Sequence, residues 1–220
     1  MIRMRGFVLL AVLPAVASFG QPGPTAPASP FGAAVDEEVA QLEKQFVTLA
    51  EAMPPEKFDF SPEGLRIPGS DLAGVRTYTT QVRHVAADNF AIWAPISGKP
   101  EPAGIDAPNG PAGMTSRAEI LDFLKRSFAF SHEAARRLTA ENATELVDFR
   151  GRKVTRLSLV VLAFSHAMDH YGQMVEYLRL SGTAPPGSRP RPQSDRERTP
   201  IPLPADDEPV LEAAFGAPKP

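Results

Sequence analysis

The chain has 220 residues, enough for one ordinary domain and hardly for two. Its formal charge of −3 gives no electrostatic reason to expect binding to nucleic acid or to an anionic membrane. The absence of cysteine excludes disulfides, thiolate metal ligands, a cysteine nucleophile and a lipid-modified anchor cysteine. The 24 prolines are about twice the usual share, and helices are expected in the windows between them because proline is poorly tolerated inside a helix.

Residues 1–17 have the three parts of a secretory signal peptide. Arg3 and Arg5 are basic, residues 6–16 are apolar, and the Ala-Val-Ala at 15–17 supplies the small residues of a cleavage site. We therefore predict cleavage after residue 17, or up to about residue 20, and export to the periplasm or out of a bacterial cell. The apolar run is too short to span a membrane, so no stable anchor is expected after cleavage. The alternative is a buried N-terminal helix.

Residues 18–33 are rich in Pro, Ala, Gly and Ser and are predicted to be a linker that leads to a folded domain at residues 34–186. The first helix is predicted between Pro30 and Pro54, with acidic residues 36–38 in its first turn, where negative charge suits the helix dipole. Apolar residues at alternating spacings of three and four form its core stripe: Val35, Val39, Leu42, Phe46, Leu49 and Met53.

The second helix is predicted between Pro68 and Pro95, with Asp71 as its N-cap. Its core stripe consists of Leu72, Val75, Val82, Ala86, Phe90 and Trp93. The opposite side is small and polar and consists of Ala73, Thr77, Gln81, His84, Ala87, Asp88 and Ala91. Because this side is not strongly charged, it suits the wall of a cavity better than a solvated surface.

The third helix is predicted to start with the S-x-x-E capping box at Ser116 and to end near residues 141–142. Its stripe is Ile120, Leu124, Phe128, Ala135 and Leu138. The fourth helix is predicted to begin near Thr155 and to stop before Gly182. Its segment 157–164 is apolar on nearly all sides, which is typical of a buried helix. No segment shows strand alternation of any length.

Four helices around one core predict an all-α four-helix bundle. The loops at 54–68 and 95–111 are long for such a bundle and are expected to cover one end of it. Residues 187–220 are rich in proline and polar residues, with too little apolar surface to offset the entropy of ordering, and we predict a disordered tail there.

Three of the four histidines are candidate metal ligands. His166 and His170 are four residues apart, which places both imidazoles on one face of the last helix, as in helices that offer two ligands to one metal. Hydrogen bonding in the core is the alternative reading of this pair. His84 on the second helix would complete a three-histidine set with open positions, or would instead bond a backbone carbonyl or Asp88. His132 has charged neighbours and is expected at the surface rather than in the site.

Two segments resemble the DinB/YfiT-like superfamily: Gln81-Val-Arg-His84-Val-Ala-Ala-Asp88-Asn89, and the last helix from Thr155 with Ser165-His166-Ala-Met-Asp169-His170-Tyr171-Gly172-Gln173 and Pro185-Pro186 after it. The resemblance covers about residues 35–186. It implies a bundle that binds one divalent metal, commonly nickel or zinc, through His84, His166 and His170. It also implies a homodimer, because members tend to dimerise through their helices. Relatives include thiol-dependent S-transferases, a mycothiol-dependent maleylpyruvate isomerase and proposed metal-dependent hydrolases.

These observations predict an exported metal-dependent enzyme of the hydrolase type, with an unidentified small-molecule substrate and metal-activated water. Asp88 or Asp169 is a candidate to orient a ligand imidazole, and Tyr171 and Gln173 are candidates to contact substrate. No glutamate stands where H-E-x-x-H proteases carry their general base. The alternatives are a non-enzymatic metal- or partner-binding helical module and a thiol-dependent S-transferase. The predicted export disfavours the transferase, because cytoplasmic thiol cofactors are not expected outside the membrane.

Overall fold

The computed structural model describes residues 28–105, 108–111 and 113–188. Its four helices are α1 (Pro30–Ala52), α2 (Tyr78–Ser97), α3 (Arg117–Arg136) and α4 (Arg156–Leu180). An antiparallel hairpin of β1 (Leu146–Phe149) and β2 (Arg152–Thr155) precedes α4. The predicted all-α four-helix bundle is therefore confirmed, with a small hairpin added. The predicted signal peptide, the linker up to residue 27 and the tail after residue 188 lie outside the described residues.

α1 and α4 run in one direction, and α2 and α3 run in the opposite direction. The end of α4 meets the end of α1, where the Ser181 hydroxyl lies 3.6 Å from the Met53 sulfur. The Tyr78 hydroxyl donates to the Leu49 carbonyl at 2.7 Å, which joins the start of α2 to the end of α1. The Arg117 guanidinium donates to the Glu51 carbonyl at 3.0 Å, so α3 starts at the same end as α2. Because α2 and α3 are parallel, the connection between them must return along the bundle. It runs beside α2, where Asn109 accepts a hydrogen bond from Arg76 at 3.1 Å, so the expectation that residues 95–111 cover one end was wrong.

The core contains most residues of the predicted apolar stripes, but not Leu72 and Val75, which precede α2 and are half-buried. The buried members of the stripes are Val39, Leu42, Phe46, Leu49 and Met53 on α1, Val82, Ala86, Phe90 and Trp93 on α2, Ile120, Leu124, Phe128 and Ala135 on α3, and Leu138 just after α3. Phe46 and Phe128 bring α1 and α3 together with ring centroids 6.1 Å apart. Burying these side chains is the main favourable term in folding.

The first two helices start at other residues than predicted. The Ser29 side chain caps α1, and Pro30 takes the first helical position, which proline favours. Residues 36–38 therefore lie beyond the first turn, where the dipole argument does not apply. α2 starts at Tyr78 with Thr77 as its cap. Gly74 has a φ of 72°, which interrupts a helix there, and Asp71 instead accepts from the amide of residue 73 in a local turn.

The third helix stops earlier than predicted, while both ends of the fourth are confirmed. The capping box at Ser116 is present, but α3 ends at Arg136 because Thr139 and Asn142 bond each other's backbone amides in a separate turn. Thr155 caps α4, and Gly182 adopts a φ of 78° directly after its end.

The hairpin and the exposed side of α4 were not predicted. Each strand has four residues, too few for alternation to stand out, and the tight turn uses residues 150 and 151 at φ of 49° and 77°. The segment 157–164 was wrongly predicted to be buried all round. Leu157, Val161 and Met168 are 41%, 61% and 46% exposed, because no described element covers this side. We call these three residues the α4 strip. No helix in the described part of the chain is long and apolar enough to cross a membrane.

Candidate metal centre

Three histidines from two helices converge on one point. His84 lies in the second turn of α2, and His166 and His170 lie one turn apart on α4. The Nε2 atom of His166 is 3.2 Å from the Nε2 atom of His84 and 3.2 Å from that of His170. One nitrogen from each ring lies within 4.8 Å of the others. Nitrogens that share an ion at bonds of about 2.1 Å lie roughly 3–4 Å apart, so the three side chains are positioned to bind one metal ion.

Hydrogen bonds on the far nitrogens fix two of these rings. The Nδ1 atom of His170 is 2.8 Å from the side-chain oxygen of Gln81, and the Nδ1 atom of His84 bonds the carbonyl of Pro108. Because these oxygens can only accept, each Nδ1 carries the proton and each Nε2 keeps a lone pair directed to the centre. This is the tautomer a metal requires. The two readings of His84, carbonyl bond or metal ligand, are thus compatible, one on each nitrogen.

Burial keeps two of the imidazoles neutral. Burial, assisted by the charges of His166 and His84, lowers the pKa of His170 to about 4. Burial also lowers the pKa of His84, and this effect outweighs the opposing hydrogen bond to Pro108 and the charge of Asp88. Both rings are therefore uncharged at neutral pH, which is the form in which histidine binds a metal.

Asp88 brings a carboxylate to the same point. One Asp88 oxygen is 3.0 Å from the Nε2 atom of His166 and 3.5 Å from that of His84, and the other accepts from Arg150 at 3.0 Å. Burial acts to raise the pKa of Asp88, but the hydrogen bond with His166 and the charges of His166, His84 and Arg150 lower it overall. Asp88 was predicted to orient an imidazole from outside. The structure places it on the Nε2 side, facing the centre itself.

The other candidate residues lie farther out. The Gln81 amide donates to Gln173 at 2.7 Å, and the Gln173 amide donates to Asp169 at 2.9 Å. Gln173 and Asp169 are therefore linked to His170 by hydrogen bonds only through Gln81. The ring of Tyr171 packs edge-on against Phe46 at 5.6 Å. A role in substrate contact for Tyr171 or Gln173 stays a prediction.

Sequence reasoning missed two residues of this centre. Gln81 stood on the small, polar side of the second helix but was given no role. Arg150 could not be linked to Asp88 without knowing the hairpin. His132 lies away from the centre, half-buried between Asp36 and Glu43 of α1.

A cavity of about 400 Å³ opens beside His84 and Asp88. Its lining includes His84, Ala87, Asp88 and Ala91 from α2, together with Ile105, Pro108 and Arg150. The prediction that the small, polar side of this helix forms a cavity wall is confirmed. A cavity of this size holds a small organic molecule.

Comparison with known proteins identifies the class. A family model of the DinB superfamily matches residues 38–174, more than half of the chain and all three histidines. The chain therefore belongs to the DinB superfamily, as its sequence predicted.

Solved structures show the same fold. A DinB-like protein from Bacillus cereus ATCC 10987 aligns over 70% of this chain and 95% of its own, with a TM-score of 0.55 and 20% identity. A DinB-like protein from Bacillus subtilis aligns over 72% of this chain and 99% of its own, with a TM-score of 0.53 and 19% identity. No protein of curated function matches.

Proposed function

We propose that this chain is a metal-dependent enzyme of the hydrolase type that acts on a small molecule. The observation that carries the proposal is the convergence of three Nε2 atoms, each 3.2 Å from its neighbour, beside a carboxylate and an open cavity. Structural metal sites are closed by four protein ligands, whereas catalytic sites keep positions open. Three imidazoles, one of which lines a cavity, fit the second kind.

The donor set suits nickel or zinc, since imidazole nitrogen is a common ligand for both. When bound, such an ion acts as a Lewis acid and lowers the pKa of a coordinated water from about 15.7 towards about 7. Gln81 and Pro108 hold two of the rings in the required orientation. Their contribution is to preorganise the site before any ligand arrives.

Asp88 is our candidate for the proton acceptor. An aspartate is ionised at neutral pH, and Asp88 lines the cavity beside His84. A carboxylate there accepts a proton from a water or a substrate hydroxyl within hydrogen-bond reach. Arg150 holds the carboxylate in place through its other oxygen. Asp88 would thus act as the general base for which the sequence offers no glutamate of the H-E-x-x-H type.

Metal content tests the site. Elemental analysis of the purified chain is expected to find about one divalent ion per chain, and much less in His84→Ala and His166→Ala. His132→Gln is the matched control, because this histidine lies outside the centre. Equal metal content in all four proteins would overturn the assignment.

Turnover tests the enzyme. We expect the metal-loaded chain to hydrolyse at least one member of a panel of small esters, amides and lactones. Asp88→Asn is expected to keep the metal and lose about a hundredfold or more in rate. Consumption of an electrophile only with an added thiol would favour the S-transferase instead. A bound metal with no exchangeable position and no turnover would favour a binding module.

Export and dimerisation are further parts of the proposal. The N-terminal pattern at residues 1–17 supports export. The mature N-terminus tests export, because a chain that still begins at Met1 in the producing cell contradicts it.

The α4 strip supports a homodimer, because an uncharged apolar helix face favours burial against a second copy.

A further inference from the structure

A second cavity, of about 410 Å³, lies where α2 and α3 both begin. It shares no lining residue with the cavity beside His84. Two arginines line it: Arg83 in the second turn of α2 and Arg117, the first residue of α3. We call it the arginine cavity.

Neither arginine uses its full hydrogen-bonding capacity. A guanidinium has five N–H donors. Arg83 makes one bond, to the carbonyl of Gly110 at 3.3 Å, and Arg117 makes one, to the carbonyl of Glu51 at 3.0 Å. The Nε atom of each is buried and has no hydrogen-bond partner among the described residues. The two guanidinium groups at this cavity therefore leave several N–H donors for a ligand.

No negative charge of the described chain compensates them. Six arginines of the described residues form an ion pair with a carboxylate, as Arg126 does with Asp122 at 2.8 Å, but Arg83 and Arg117 form none. Asp59 also lines the cavity and pairs with neither. Partly buried cations without a counter-charge are costly, and an anion in the cavity would remove that cost.

The rest of the lining also suits an anion. The hydroxyl-bearing residues Thr77, Thr80 and Thr115 line the cavity, and hydroxyls donate readily to phosphate-type oxygens. Thr79 and Thr80 of the lining lie in the first turn of α2, and Arg117 is the first residue of α3, where backbone amides add partial positive charge. The ring of Phe58 lies 5.4 Å from the guanidinium carbon of Arg117 and holds it in a stacked position.

We infer that the arginine cavity is a second ligand site, separate from the metal centre, for a small phosphate-type oxyanion. Paired arginine forks match the planar, two-oxygen edge of such a group better than lysines do. The volume exceeds that of phosphate itself and leaves room for the organic part of a small phosphate ester.

The test is titration calorimetry with inorganic phosphate on the full chain as purified. Arg83→Gln and Arg117→Gln are each expected to weaken binding about tenfold or more, because each removes a charged fork. Arg126→Gln is the matched control: this arginine is also on α3, is 57% exposed at its side chain and lies outside the cavity. His166→Ala is included because phosphate also coordinates metals.

Phosphate binding that persists in Arg126→Gln and His166→Ala but weakens in the two cavity variants supports the site. Absence of phosphate binding by the unmodified chain would overturn it. So would equal affinity in the cavity variants, or loss in His166→Ala alone, which would place the anion on the metal. Thermal melts establish that each variant is folded. Arg83→Lys keeps the charge without the fork, and we expect it to bind more weakly than the unmodified chain but better than Arg83→Gln.

Discussion

Single hydrogen bonds determine whether the histidines have the tautomer and orientation that metal binding requires. Gln81 makes no contact with the point where an ion would sit, yet it sets the tautomer of His170. Replacing Gln81 with Leu is expected to lower metal affinity about 10- to 100-fold while leaving all three ligands in place. Competition with a chromophoric chelator measures this. Gln173→Leu, one bond farther out, serves as the control with a smaller effect, and unchanged affinity in Gln81→Leu would refute the role.

Burial of His170 also predicts a pH effect on the metal-free chain. Its folded pKa of about 4 lies below the ordinary value of 6.5, so the unfolded chain binds the proton first. The free energy of unfolding is therefore expected to fall as pH drops from about 6.5 to about 4. Urea unfolding of the chelator-treated chain across this range measures it. His170→Gln should lose this part of the dependence, and a variant that retained it would contradict the prediction.

The residues of the site were predictable to different degrees. His166 and His170 share one helix, so their spacing alone placed them together. Asp88 was named because it follows His84 by one turn, but which side of the ring it faces depends on α4 and the hairpin. Gln81 and Arg150 act through partners 89 and 62 residues away in sequence, and no local pattern encodes such contacts.

At the scale of elements, the start of α1 lies close to the end of α3. A Cβ atom on Gly32 would lie 2.6 Å from the carbonyl oxygen of Leu138 and 2.9 Å from that of Ala135. Gly32→Ala must therefore push the backbones apart and is expected to destabilise the fold by about 1–3 kcal/mol. Denaturant unfolding measures the change.

Gly172→Ala is the matched control for this contact. It makes the same chemical change inside α4, where a new Cβ meets nothing within 4 Å. We expect it to stabilise the chain by about 0.5–1 kcal/mol, since alanine favours helix over glycine. Equal effects of the two substitutions would show that the α1–α3 approach is not tight.

Elements were predictable where a local signal was strong. The capping box at Ser116 and the glycine after α4 both mark true boundaries. Asp71 has the chemistry of a cap, but it caps a turn, because Gly74 follows in a left-handed conformation. α2 continues through Pro95 to Ser97, so this proline lies inside the last turn and does not mark the end of the helix.

At the scale of the whole molecule, the direction of the helices brings the site together. Loop lengths did not reveal that α2 and α3 are parallel, because a long loop can cover an end or return along the bundle. The position of His84 in the second helix suggested a third ligand but left a bond to a carbonyl or to Asp88 open, and the family resemblance then implied its pairing with His166 and His170. Burial patterns likewise could not show which apolar side of α4 would be left exposed.

The exposed side of α4 leads to a prediction about assembly. Light scattering is expected to find a dimer for the unmodified chain and a monomer for Val161→Lys, because a charge in the α4 strip opposes its burial. Ile67→Lys is the control, since Ile67 is also exposed but lies in a loop away from the strip. A monomeric unmodified chain, or a dimeric Val161→Lys, would contradict the homodimer.

The most direct test of the metal centre is anomalous diffraction from crystals of the zinc- or nickel-loaded chain, recorded at the absorption edge of the metal. We predict one strong peak about 2.1 Å from the Nε2 atoms of His84, His166 and His170. A fully loaded crystal with its peak elsewhere, or with none at these three rings, would contradict the account.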